Sequence, residues 1–94
     1  MPLRVVLTAD AEQDLEATVS HLLERNPQAA AVLIEKVFDV AQRLAEGLFD
    51  GPWQVLSDGR RVQSWPMPPY RMFYQRSEHA LTIMRVYHQS RCPL

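Results

Sequence analysis

The chain has 94 residues, nearly half of them apolar, with a formal net charge of −1 and a single cysteine. That is enough chain for one domain, 1–94, with a small core. It excludes a disulfide-stapled scaffold, and no apolar run approaches the length of a membrane span. Arg4 is followed by too short an apolar stretch for a secretory signal, so a cytoplasmic protein is expected.

Leu3 to Thr8 reads as a short strand with Leu3, Val5 and Leu7 on one side. Thr8 or Asp10 then caps a helix over 11–24, with Ala11, Leu15, Val19, Leu22 and Leu23 at helical spacing. Asn26-Pro27 ends this helix and opens the next, since Asn is a good N-cap and Pro suits the first helical turn. The second helix is expected over 27–46, with Ala30, Leu33, Ile34, Val37, Val40, Ala41, Leu44 and then Leu48 on its apolar stripe. Gly47 stops it. With almost no linker, the two helices form an antiparallel hairpin.

Phe49 to Asp58 reads as a loop, because Gly51-Pro52 and Asp58-Gly59 are turn signals, with Trp53, Val55 and Leu56 tucked onto the domain. Arg60 to Trp65 is a strand. Pro66-Met67-Pro68-Pro69 is a rigid connection, because three of its four residues have no N–H to donate. Tyr70–Gln75 and Leu81–His88 flank a polar break at Ser77-Glu78-His79, which is how a β-hairpin reads. Strict alternation sorts the second strand into Leu81, Ile83, Arg85 and Tyr87 against Thr82, Met84, Val86 and His88. The order is β-α-α-β-β-β, an α+β fold with a helical hairpin on one face of a mostly antiparallel sheet of about four strands.

Charge is divided along the chain. Residues 1–58 carry Arg4, Arg25, Lys36 and Arg43 against ten acids, a balance of −6; residues 59–94 carry Arg60, Arg61, Arg71, Arg76, Arg85 and Arg91 against Glu78, a balance of +5. Two explanations stand: the halves pair within one molecule, or a basic surface awaits an acidic partner. Arginine's planar fork suits carboxylates and phosphates.

No phosphate loop, nucleophile elbow or metal-ligand spacing is present, and neither a metal nor a cofactor is expected. Cys92 reads as an incidental thiol. His21 reads as a surface or half-buried helix residue and His79 as a turn residue. His88 either hydrogen-bonds the backbone at a strand end or serves acid–base cleavage of RNA beside Arg85 and Arg91.

The segments LTADAEQDLEATVSHL, NPQAAAVLIEKV, PYRMFYQR and LTIMRVYHQSRCP together resemble the ParE/RelE superfamily of bacterial toxins from type II toxin–antitoxin (plasmid stabilisation) systems. The resemblance spans nearly the whole chain and is most specific in P-Y-R-x-x-Y and the ending V-Y-H-Q-S-R. It implies the fold above and a cognate antitoxin: small, disordered and partly acidic at its C-terminal segment, and folding onto the toxin. The implied targets are DNA gyrase for ParE-like members, which bind, and ribosome-bound mRNA for RelE-like members, which cleave.

Arg71 falls on the family arginine of the Y-R-x-x-Y strand. The strand before it lacks a lysine, Gln89 stands where RelE-like members carry a catalytic arginine, and the chain stops at Leu94, short of their late tyrosine. Tyr87-His88 matches the terminal His-Tyr pair of another nuclease branch only in reverse. His88-Gln89-Ser90-Arg91 matches the ParE-like ending, and the acidic first half is unlike the strongly basic ribosome-dependent nucleases. A gyrase-directed ParE-like toxin is therefore expected, with a RelE-like endoribonuclease or a degenerate antitoxin-binding member as alternatives. No catalytic residue is favoured; a nuclease would use His88, Tyr87, Arg71 and Arg85. Antitoxin or target contacts are expected from Arg60, Arg61, Arg71, Arg85 and Arg91.

Overall fold

The structure, a computed structural model, describes residues 3–91, which leaves Cys92 outside the described residues. The elements run β1 (Arg4–Leu7), α1 (Ala9–Arg25), α2 (Pro27–Ala45), β2 (Trp53–Val55), β3 (Arg61–Met67), β4 (Tyr70–Arg76) and β5 (Ala80–His88), closed by a 3-10 turn at Gln89–Arg91. The strands form one five-stranded sheet in the order β1-β5-β4-β3-β2. All neighbours are antiparallel except β1 and β5.

The helix boundaries follow from capping chemistry. Thr8 Oγ1 accepts the Ala11 N–H at 3.1 Å and donates to the Met84 carbonyl at 2.9 Å, so one residue starts α1 and fastens it to β5. The Asn26 N–H closes α1 on the Leu22 carbonyl while its side chain accepts from Ala29 to open α2. Gly47, at φ +76°, takes the left-handed turn that ends α2.

The main core lies between the hairpin and the sheet. Ala11, Leu33, Val37, Val40, Ala41 and Leu44 meet Met67, Met72, Tyr74, Leu81, Ile83 and Val86 there, with Leu3, Val5 and Leu7 packed at its edge. Burying a side chain such as Leu44 contributes about 1.5–3 kcal/mol. Three residues read as stripe lie outside it: Leu23, Ile34 and Leu48 are 53%, 41% and 68% exposed. Leu23 and Ile34 sit at the flanks of wide apolar arcs, and Leu48 follows the turn at Gly47.

Two further differences concern the sheet. The loop after α2 contributes an edge strand, β2, in which Gln54 pairs with Val62; Trp53 and Val55 remain more than half exposed, and only Leu56 is buried. Pro66 and Met67 belong to β3 rather than to a connection. The Ser64 N–H points outward to the Pro52 carbonyl, so Pro66, two residues on, faces the same side beyond the end of β2, where no ladder bond is lost.

A polar knot anchors the loop to the sheet. The hydroxyl of Tyr74, a fully buried residue, donates to Asp50 and accepts the Gly51 N–H at 2.8 Å, while Arg76 reaches Asp50 at 3.2 Å. Burial and the hydrogen bond to Asp50 push the Tyr74 hydroxyl up to about 12. Partial burial acts to raise the Asp50 carboxyl, but hydrogen bonds from Tyr74 and Gln63 and the Arg76 charge outweigh it and hold the carboxyl below its ordinary range. Tyr74→Phe is expected to cost about 2 kcal/mol, because Asp50 and the Gly51 N–H lose their partner at once. Tyr74 holds its proton more tightly folded than unfolded, so its contribution is whole below about pH 10 and is lost as the pH rises through about 12. Denaturant melts between pH 8 and 12 check this: the wild type should lose stability over that window more steeply than Tyr74→Phe.

Candidate functional site

The sheet face turned away from the helices carries the candidate chemistry. A bulge decides which side chains reach it. Phe73 pairs with Arg85 and Tyr74 with Ile83, which leaves Met84 as an extra residue in β5. The extra residue breaks the strict alternation expected for this strand: Leu81, Ile83 and Val86 reach the main core, while Met84 joins Leu56, Val62 and Phe73 in a second small cluster on the open face, with Tyr87 against it.

Arg71, Arg85 and Tyr87 gather on that face. Arg71 pairs directly with Tyr87 across the two strands and donates from Nη1 to the buried Ser64 hydroxyl at 2.9 Å. The Tyr87 ring meets Phe73 edge-on at 5.8 Å, and the Arg85 guanidinium carbon lies 4.5 Å from its centroid. Arg85 then turns to α1, where its Nε and Nη2 grip Asp14 at 2.8 and 2.9 Å. The same carboxylate accepts the Val86 N–H at 3.0 Å, on a stretch of β5 that β1 does not reach. The fork to Asp14 raises the Arg85 pKa, and burial raises that of Tyr87 against the pull of the Arg85 charge. Sequence reasoning does not single out Asp14; the one signal for it is an acid on a helix in a chain with an arginine-bearing strand.

His88 leaves this group. It packs edge-on against Tyr70 at 5.5 Å, on the helix side of the sheet, and its Nδ1 lies 2.8 Å from the Ser90 hydroxyl. Tyr87 and His88 therefore serve opposite faces, as alternation requires. His21 lines the same cavity as His88, about 330 Å³ with Thr18, Tyr70 and Ser90. His21 is an exposed residue of α1, as expected of a surface helix position.

The remaining arginines are dispersed. Arg60 is held by Asp58 at 2.7 Å. Arg61 lies 4.7 Å from the centroid of exposed Trp53, on the Gln63–Tyr74 side of the sheet rather than beside Arg71. Arg91 closes the 3-10 turn. The charge division is thus partly internal: Arg60, Arg76 and Arg85 pair with acids from the first half, whereas among the described side chains of the second half Arg61 and Arg71 have no carboxylate partner. Apolar surface is also left open. A groove of about 240 Å³ runs between Leu22, Val32, Leu33, Met67 and Pro68, with Lys36 at its rim. On the other flank of α2, Phe38 is 49% exposed.

Comparison with known proteins places this arrangement. The family described as the ParE toxin of type II toxin–antitoxin systems, parDE, matches residues 5–93. A chain of the chromosomal ParDE toxin–antitoxin system from P. aeruginosa superposes with a TM-score of 0.71 at 17% identity, over 92% of this chain and 95% of that one. A chain of the RelBE2 toxin–antitoxin complex from Mycobacterium tuberculosis superposes at 0.60 with 26% identity, over 94% and 92%. No curated protein matches.

Proposed function

Because the chain belongs to the ParE toxin family of type II toxin–antitoxin systems, we propose that it arrests growth by binding DNA gyrase rather than by cutting RNA, and that a cognate antitoxin neutralises it. The observation that carries this is the separation of the proton carriers. Cleavage by a 2′-hydroxyl needs one group to take its proton, another to protonate the leaving oxygen, and cations on the phosphate. Arg71 and Tyr87 share a face, but Arg85 is already matched by Asp14, and His88 lies with Tyr70 on the other side. Arginine stays protonated and makes a poor base. A site short of one proton carrier loses on the order of 10²–10⁴-fold in rate.

What remains is a binding surface: an Arg71 guanidinium that donates to Ser64 but has no carboxylate partner among the described residues, an Arg61–Trp53 pair beside an exposed sheet edge, and apolar ground along the hairpin. These suit an antitoxin segment that alternates apolar and acidic residues. Both structural relatives named above come from toxin–antitoxin systems, which supports such a partner. Arg71→Glu is expected to weaken antitoxin binding by at least about tenfold, the loss of one charge-assisted contact. Titration of the co-expressed neighbour's product against both forms checks it, and equal affinities would remove Arg71 from the interface.

Induced expression with two readouts separates the targets. DNA breaks and a damage response with intact mRNA support gyrase binding. Translation arrest with cut mRNA establishes the ribonuclease instead, and growth without either marks a member that only binds antitoxin.

A further inference from the structure

We propose that His88 is an acid-released latch: its neutral ring holds the turn Gln89–Arg91 at the end of β5, and protonation of the ring lets that turn go. Nδ1 accepts the Ser90 N–H at 3.2 Å and lies 2.8 Å from the Ser90 hydroxyl. A backbone N–H only donates, so Nδ1 is the unprotonated nitrogen and the neutral ring carries its proton on Nε2. A side chain that accepts from the backbone two residues on builds an Asx turn, which asparagine and aspartate make with an oxygen. Here the acceptor is an imidazole nitrogen. Imidazole is the one such acceptor that ordinarily changes charge between pH 5 and 8.

Protonation replaces the acceptor with a donor. The Ser90 hydroxyl can rotate and accept from the new Nδ1–H, but the Ser90 N–H cannot, because the backbone sets its direction. Two N–H groups would then face each other across a separation that is now 3.2 Å. The tie at the start of the turn, from the Gln89 N–H to the Pro69 carbonyl at 2.8 Å, does not involve the ring. Release is therefore confined to Ser90 and Arg91 and leaves the sheet intact. The Tyr70 contact survives as well, since a cation also packs against an aromatic ring.

The titratable and charged groups around the ring come from several elements. Tyr70 on β4 packs edge-on against it. His21 on α1 lines the same cavity, and Asp14 of α1 and Tyr87 line a neighbouring cavity that His88 also borders. Arg91, a permanent cation, ends the turn, and Arg85 holds Asp14. Of these side-chain types only histidine ordinarily titrates in the window concerned, so His21 is the competing source of pH dependence. The latch is independent of the gyrase and antitoxin proposals.

The test is a nuclear magnetic resonance titration of the nitrogen-15-labelled full chain from about pH 7.5 to about pH 5. At the upper end the ring nitrogen shifts should show Nε2 protonated and Nδ1 bare. On acidification the protection of the Ser90 amide, taken against its intrinsic exchange rate at each pH, should fall by about fivefold or more. The fall should share its midpoint with the His88 ring, while amides within β4 and β5 keep their protection. His88→Asn supplies a non-titrating acceptor two residues before Ser90 and should keep that amide protected at both ends of the range. His88→Phe supplies none and should leave it unprotected at both, and His21→Ala should respond as the wild type does. A neutral ring protonated on Nδ1, a Ser90 amide indifferent to the titration of His88, or a response lost in His21→Ala would overturn the proposal.

Discussion

Gly51→Ala is expected to lower the thermal midpoint by roughly 12 °C or more, the consequence of about 3 kcal/mol in a domain of this size. A Cβ built on Gly51 falls 1.7 Å from the Ser64 carbonyl oxygen and 2.8 Å from its carbon, and both atoms are backbone. No rotamer change relieves such a clash; β3 and the loop must separate. Separation breaks what the close approach makes possible: the Ser64 N–H to the Pro52 carbonyl at 3.1 Å, the Gly51 N–H to Tyr74 at 2.8 Å, and the Gln63 amide to the Gly51 carbonyl at 3.0 Å. Gly47→Ala supplies the contrast. There φ is +76° with no atom within 4 Å of the added carbon, so the cost is backbone strain alone, about 1 kcal/mol. Thermal melts of the two variants side by side check the ranking; a Gly51→Ala midpoint within a few degrees of wild type contradicts the packing described.

The second large effect belongs to Asp14. Asp14→Ala is expected to cost about 3 kcal/mol, because it leaves a half-buried guanidinium without its counter-charge and the Val86 N–H without an acceptor. The Arg85 and Asp14 side chains are 26% and 14% exposed, too enclosed for water to replace the lost partner fully. Asp14→Asn, which keeps an acceptor for Val86 but not the charge, should lose about half as much. Removing both partners in Asp14→Ala/Arg85→Met should recover part of the loss, since an apolar pair avoids the stranded charge. Urea unfolding of the wild type, Asp14→Ala, Arg85→Met and the double variant measures the coupling; strictly additive losses would show that the pair contributes no more than its separate members.

These residues also mark where sequence reasoning reaches its end. The helical hairpin was legible because its signals are local: Asn26-Pro27 closes one helix and opens the next through a single side chain, and Gly47 ends the second. The β4–β5 hairpin was legible for the same reason, around Ser77-Glu78-His79. The bulge at Met84 was not, because an apolar residue satisfies either face, and only the opposite strand reveals that Phe73 and Tyr74 skip it. Strand β2 is three residues long beside a proline, and its pairing with β3 comes from the contact at Gly51 rather than from a periodic pattern. The site divides similarly. Arg71 and Tyr87 were named from their strands, and their register brings them side by side. Asp14 was missed because it lies on α1, and its role arises only once that helix is laid along β5. The charge division was visible in the sequence, but which arginines are spent internally depends on individual contacts, such as Arg76 with Asp50.

The most direct test of the proposed activity is a gyrase cleavage assay with purified toxin, supercoiled plasmid, gyrase and ATP. Linear DNA should accumulate with toxin concentration, require gyrase, persist in His88→Ala, and disappear when the cognate antitoxin is added. Gyrase turning over unimpeded at saturating toxin, alongside codon-specific cuts in ribosome-bound mRNA that vanish in His88→Ala, would contradict it.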